Sequence, residues 1–257
     1  YGSVKEGDGV HFGSCKSGLG GIEHIENMTP RLAPLATPLA LEEAKGFAPL
    51  LAQMAAAPLH ELCPAGAGAE TAALGFALAL AGAWGSPAGL IWAGEEGVFA
   101  EDGAPYPVGL AQFGLDPENL IVVRVAKRDE ALWAAEQGLN ARGATVICAL
   151  AHNSKPLDLK ATRRLLLFAE QNGSRCLLVR PLAETSAAWT RWKIAHAPSS
   201  AEPDELGRPA FSLQLMRSRC GPAGARFTLE WNADANRLEE RFQEKCEAVF
   251  RPEARQK

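Results

Sequence analysis

The chain has 257 residues, is 47% hydrophobic and 22% charged, and carries a formal net charge of −4 with a pI near 5.8. That length supports one domain with a substantial core, and the charge content is that of a folded rather than a disordered chain. The acidic balance excludes a protein that binds nucleic acid through its overall charge. The longest apolar run, Thr71 to Trp84, is interrupted by Gly75 and Gly82, which excludes it as a membrane span.

Residues 1–30 are rich in glycine and polar residues without a period and read as loosely attached or disordered. Repeated prolines in residues 31–41 disfavour regular structure there. Leu41 to Ala57 spaces Phe47, Leu50, Leu51 and Met54 as a helix does. From residue 58 strands and helices alternate. Leu59–Cys63 is a short strand, 64–68 a loop of small residues, and Glu70–Trp84 a helix rich in Ala and Leu. Gly89–Gly94 is an apolar strand, residues 105–114 are helical or turn-like, and Asp116-Pro117 marks a turn. Leu120–Val125 is a β-branched strand. Asp129 is the expected cap of a helix running to Asn140. Thr145–Leu150 is a buried strand. Asp158 opens a helix that Gly173 stops, and Arg175–Arg180 is a further strand.

Such alternation implies parallel β-α units with right-handed crossovers, and the continuous apolar runs fit strands covered on both faces. After Pro181 the pattern changes. Thr190–Ala195, Phe211–Arg217 and Arg226–Trp231 alternate apolar and polar residues, as antiparallel edge strands do. Asn236 to Phe250 reads as an amphipathic helix whose stripe of Leu238, Phe242, Cys246, Val249 and Phe250 docks either on its own domain or on another protein. The expected organisation is an N-terminal extension over 1–57, partly disordered with one helix, a core over 58–235, and a C-terminal helix over 236–257.

A strand, a glycine-containing loop and a helix N-terminus together form an anion site, because backbone N–H groups and the helix dipole converge there. A working phosphate loop adds a lysine and a Ser/Thr in the order G-x-x-x-x-G-K-[ST]. Here the segment runs Cys63-Pro64-Ala65-Gly66-Ala67-Gly68-Ala69-Glu70-Thr71. Cys63 replaces the first glycine, Ala69 the lysine and Glu70 the hydroxyl. Thr71 supplies a hydroxyl only by a shift of register. The alternative is a plain strand-to-helix turn that never bound nucleotide.

The segment order resembles the RecA core from about Leu59 to Trp231. In that comparison Glu95 of LIWAGEE falls at the position of the family's catalytic glutamate, and TVICAL occupies the Walker B strand but ends in Ala149 and Leu150 without the acidic residue. More narrowly, LHELCPAGAGAETAALGFALALAGAW, GLDPENLIVVRVAKRDEALWAAEQGL, LDLKATRRLLLFAEQNG and SAAWTRWKIAHAPS are similar to the ImuA family, the RecA-like members of a bacterial mutagenesis cassette. The first ~55 residues carry no part of the resemblance.

This resemblance implies an α/β fold with a RecA-like, P-loop-type core, a mostly parallel sheet, antiparallel C-terminal strands and a C-terminal helix. It also implies a non-catalytic scaffold in SOS-induced translesion synthesis. The partners would be ImuB, RecA and an error-prone DnaE-type polymerase, with DNA met directly or through them. No cofactor is expected, neither ATP nor magnesium, and the location expected is cytoplasmic. The rival readings are a weak ATPase or nucleotide sensor using Glu95 and Thr71, and a SulA-like inhibitor of cell division.

Residues 1–120 carry 4 basic and 14 acidic side chains, residues 121–257 carry 22 and 16, so a local basic surface is open to the second half. Trp189, Arg191, Trp192 and Lys193 combine aromatic and cationic groups as single-stranded DNA binding needs. The plainer reading packs both tryptophans and lets the cations reach solvent. Arg217, Arg219 and Arg226 form a second basic group around Gly221-Pro222, either a hairpin tip or a phosphate contact. His60, His152 and His196 have no nucleophile beside them, so no triad is assigned. The six cysteines are scattered with no C-x-x-C pair, which fits a reducing compartment.

Overall fold

Six short runs rich in β-branched and aliphatic residues form the parallel part of one nine-stranded sheet in the computed structural model, which describes residues 46–181, 185–200, 207–219 and 223–241. In chain order the elements are α1 (Phe47–Ala56), β1 (Leu59–Pro64), α2 (Glu70–Trp84), β2 (Leu90–Glu95), α3 (Glu96–Glu101) and α4 (Pro107–Gln112). A 3₁₀ turn (Pro117–Asn119), β3 (Leu120–Val125), α5 (Arg128–Leu139), β4 (Thr145–Ala149), α6 (Leu159–Asn172) and β5 (Arg175–Val179) follow. The last four are β6 (Thr190–His196), β7 (Ala210–Ser218), β8 (Arg226–Asn232) and β9 (Arg237–Glu240). The sheet order is β3-β2-β4-β5-β1-β6-β7-β8-β9. It is parallel from β3 to β6 and antiparallel from β6 to β9. The expected α/β class, a mostly parallel sheet with antiparallel strands towards the C-terminus, is the one found.

Two apolar layers cover the sheet. On one face α1 and α2 bury Phe47, Leu50, Met54, Phe76 and Leu80 against Leu62, Trp192, Phe211 and Trp231. On the other, α5 and α6 bury Ala135, Leu139, Leu165 and Ala169 against Leu59, Val146, Cys176 and Leu178. Small residues let α2 lie close. A Cβ built on Gly82 would stand 1.9 Å from the Phe113 carbonyl oxygen, so no larger residue fits there without moving the backbone. The α6 ends follow the sequence reading. The Asp158 carboxylate accepts from the Ala161 N–H at 2.8 Å, and Gly173 ends the helix at φ 60.

Several expectations change. Helix α1 begins at Phe47, and residues 41–45 lie outside the described ones. The cap of α5 is Lys127 rather than Asp129, and its N–H is met at 3.3 Å by Glu130 Oε2. Strand β6 is not an edge. It pairs parallel with β1 and antiparallel with β7, so it is the pivot between the two halves of the sheet. Strand β3, read as covered on both faces, is the outermost strand and largely exposed. The helix expected from Asn236 does not start there. Asn236 takes φ 46, and Arg237–Glu240 return as β9 against β8 because Leu238 finds the core beside Trp231. Of the partner stripe, Leu238 therefore packs in the sheet, while Phe242, Cys246, Val249 and Phe250 lie outside the described residues.

Candidate functional site

Parallel strands deliver their C-terminal ends to one rim of the sheet, where α/β folds place ligands. Strand β1 runs into Pro64, and the chain turns through Ala65–Ala69 into α2. The Ala65 N–H donates to the Ile194 carbonyl at 2.7 Å and the Ala69 N–H to the Gly66 carbonyl at 3.1 Å, which fixes the loop. Over it lies a cavity of about 150 Å³. Its wall includes Pro64, Gly66 and Glu70 from the loop and helix, Val98, Glu101 and Asp102 from α3 and its end, and Leu150, His152 and Arg180 from the β4 and β5 ends.

This cavity is acidic. Burial first, then the carboxylates of Glu70 and Glu101, hold the Asp102 carboxyl above its usual range. His152 Nε2 lies 3.9 Å from Glu70 Oε1. Among the described residues the guanidinium in the wall is that of Arg180, which is 2% exposed and already engaged. Its Nε and Nη2 donate to Glu61 Oε1 at 3.0 and 2.5 Å. The other oxygen of Glu61 accepts from Arg191 Nε at 2.6 Å. Ala69 contributes no charge.

Two candidate nucleotide residues face elsewhere. Thr71 Oγ1 lies 3.2 Å from His196 Nε2, which itself sits 3.0 Å from the Gly68 carbonyl oxygen, so the hydroxyl is turned towards the end of β6. Glu95 is not part of the cavity wall. Its Oε1 accepts from the Ala151 N–H at 3.0 Å and from Ser154 Oγ at 2.6 Å, which ties the turn after β4 to the end of β2. Pro64, Gly66 and Glu70 line the cavity, while Gly68, Ala69 and Thr71 of the same loop are not in its wall.

The aromatic-basic group of β6 is divided between the two faces of the sheet. Trp192 is fully buried against Phe47 and Phe227, and its Nε1–H donates to Thr190 Oγ1 at 2.9 Å. Thr190 Oγ1 lies 2.7 Å from His60 Nδ1, and His60 Nε2 donates to the Met54 and Ala57 carbonyls. With both carbonyls as acceptors, Nε2 carries the proton and the Thr190 hydroxyl donates to Nδ1. Burial lowers the His60 pKa from 6.5 to about 4. Arg191 is buried on Glu61, Lys193 is half-buried, and Trp189 is half-buried beneath Arg219, whose guanidinium carbon lies 5.9 Å from the ring centroid. Trp192 and Arg191 are thus interior groups with no face to offer a base or phosphate. Arg217 and Arg219 donate to the Ser186 and Ala187 carbonyls, while exposed Arg226 stands one strand further out, opposite Gln214.

The sequence reading missed Glu61 and Arg180, and gave Glu101 and Asp102 no place in the site. The signal for Glu61 was a lone carboxylate inside the apolar strand LHELC. Glu101 and Asp102 belong to an acidic run with Glu95 and Glu96 that suggests metal but lacks ligand spacing in sequence, and the six residues EGVFAE carry too little periodicity to announce α3. Among the described residues no group of His, Cys, Asp and Glu is placed to hold a metal ion, and no helix is long and apolar enough to cross a membrane. Cys63, Cys148 and Cys176 are buried free thiols. Burial raises the first two to about 12.

No family model matches the chain. Over 130 residues it is 36% identical to Protein ImuA of two Caulobacter vibrioides strains, an alignment covering 45% of this chain and 52% of those proteins. The chain therefore spans about half the length of the curated relatives it matches. Among solved structures it is similar to one described as the RadB recombinase, at 13% identity and a TM-score of 0.48 over 73% of this chain and 91% of that one.

Proposed function

We propose, from a chain related to the ImuA proteins over 130 aligned residues, that this protein is a non-catalytic accessory of error-prone translesion DNA synthesis in the DNA-damage response. It binds its partners through protein surfaces and turns over no nucleotide. One observation supports the second half of that reading: the cavity over the loop is walled by Glu70, Glu101 and Asp102, and in the loop's sequence Ala69 stands where a phosphate loop has its lysine. Each carboxylate some 5 Å from a phosphate charge repels it by roughly 3 kcal/mol at an effective dielectric near 20. Arg180, the cation within reach, is committed to Glu61.

The partners in this reading are ImuB, RecA and a DnaE-type polymerase, in the cytoplasm. DNA is reached through them, since Trp192 and Arg191 lie inside the fold. The test is calorimetric titration of the full chain with ATP and magnesium, with and without single-stranded DNA, alongside co-purification with ImuB. Absent or millimolar nucleotide affinity together with capture of ImuB is the expected result. Micromolar, magnesium-dependent binding, or hydrolysis abolished by Glu95→Gln, overturns the non-catalytic reading. Failure to retain ImuB overturns the assignment to the cassette.

A further inference from the structure

The two edges of the sheet differ in kind. Strand β9 is charged, with Arg237 paired to Glu239 and Glu239 also facing Arg208. Charged side chains are how natural proteins blunt an edge against further pairing. Strand β3 has a single charge, Arg124 near its end, which lies 4.0 Å from Glu96. Among the described strands it bonds only β2, yet it reads Leu-Ile-Val-Val-Arg-Val. Ile121 is 60% exposed and Val122 38%. Tyr106 and Val108, at the start of α4, are also exposed, and an open groove lined by Pro105, Pro107, Leu110, Val122 and Arg124 runs beside the strand. Exposed aliphatic residues on a strand whose outer backbone edge pairs with no described strand mark a strand-pairing interface.

Charge order along the strand selects its occupant. Asp116 and Glu118 precede β3, and Arg124, Lys127 and Arg128 end and follow it. A strand laid antiparallel with the same order sets acid against base at both ends, which a parallel copy does not. We propose that the edge of β3 pairs antiparallel with β3 of a second copy of this chain. A two-fold axis normal to the sheet keeps α5 on the same side in both copies. Residues facing each other must then share a face, as strand alternation requires. With Val123 on the axis, Ile121 faces Val125 and Glu118 faces Arg128. With Val122 on the axis, Ile121 faces Val123 and Asp116 faces Arg128. Both arrangements bury the exposed aliphatic residues and oppose unlike charges.

Sedimentation velocity of the full chain over a concentration series tests this. The expected result is a concentration-dependent dimer that the double change I121K/V122K renders monomeric. Both positions are exposed, so far-ultraviolet circular dichroism and the melting temperature should stay at the parental values. Glu118→Lys with Val123 on the axis, or Asp116→Lys with Val122 on it, should weaken the dimer about 3- to 30-fold, since each such pair acts at both of its two ends. With Val123 on the axis, the double change E118K/R128E should recover most of that loss. A chain that stays monomeric at every concentration overturns the proposal, as does a dimer indifferent to I121K/V122K. A dimer that neither Glu118→Lys nor Asp116→Lys weakens overturns the antiparallel self-pairing.

Discussion

Acid should weaken this fold through His60. The imidazole is fully buried, donates from Nε2 to the Met54 and Ala57 carbonyls and accepts the Thr190 hydroxyl at Nδ1, so it has no room for a second proton. Its pKa falls from 6.5 to about 4, chiefly through burial. In the unfolded chain the same ring takes up a proton as pH drops below about 6.5. Between pH 6.5 and 4 the unfolded state therefore binds more protons, and stability falls as pH falls. At pH 4.5 the loss relative to pH 7.5 is about 2–3 kcal/mol, because each tenfold difference in proton affinity between the two states is worth about 1.4 kcal/mol. Urea unfolding at the two pH values, for the parent and for His60→Gln, isolates the contribution. The glutamine amide keeps a donor for the two carbonyls but does not titrate. The parent should lose about 2–3 kcal/mol more than the variant. Equal losses in both proteins would refute the assignment of the buried ring as the acid-sensitive group.

Trp192→Ala should cost about 3–5 kcal/mol in chemical denaturation while folded protein keeps the parental behaviour towards single-stranded DNA, because the indole is an interior group. A lost DNA affinity at unchanged stability would contradict its place in the core. Gly82→Ala should destabilise the protein although alanine is the better helix former by about 1 kcal/mol, since its Cβ would meet the Phe113 carbonyl. Gly66→Ala, with nothing within 4 Å, should leave the melting temperature nearly unchanged. Glu95→Ala should loosen the Ala151–Ser154 turn, seen as faster limited proteolysis there and a loss of about 1–3 kcal/mol, with no change in background ATP hydrolysis.

What the sequence made legible was whatever depends on a local pattern. Helix α2 matches its expected limits because fifteen residues rich in Ala and Leu, without Pro, admit little else, and α6 because Asp158 and Gly173 punctuate it. The positions of β3 and β6 in the sheet were not legible, because strand order is decided by crossovers that leave no local trace. A continuous apolar run describes a central strand, and β3 has that composition while sitting at the edge. Strand β6 alternates like an edge strand for a different reason. One of its faces meets the core through Trp192 and the other meets the buried carboxylate of Glu61 through Arg191. The alternation recorded apolar and ionic burial, not burial and solvent. The expected helix from Asn236 fails at its start for a related cause: the spacing from Leu238 to Phe242 fits a helix equally well, and the strand is chosen by the open edge of β8.

The cavity over the loop before α2 differs from a lysine-bearing phosphate cradle at several independent positions, and these act together. Ala69 removes the cation, but restoring a lysine there would set one positive charge against Glu70, Glu101 and Asp102. Arg180 would have to leave Glu61 to help, and that would strand a fully buried carboxylate whose remaining partner is Arg191, a change of the kind that costs about 3–5 kcal/mol. Thr71 would have to abandon His196 and rotate inward. Glu95 would have to release the Ala151 and Ser154 contacts that hold the β4 turn. The groups that would serve nucleotide chemistry are each bound into the fold by a separate contact, so no single substitution rebuilds the site. The electrostatic character of the rim is a property of the whole packed arrangement rather than of its missing lysine.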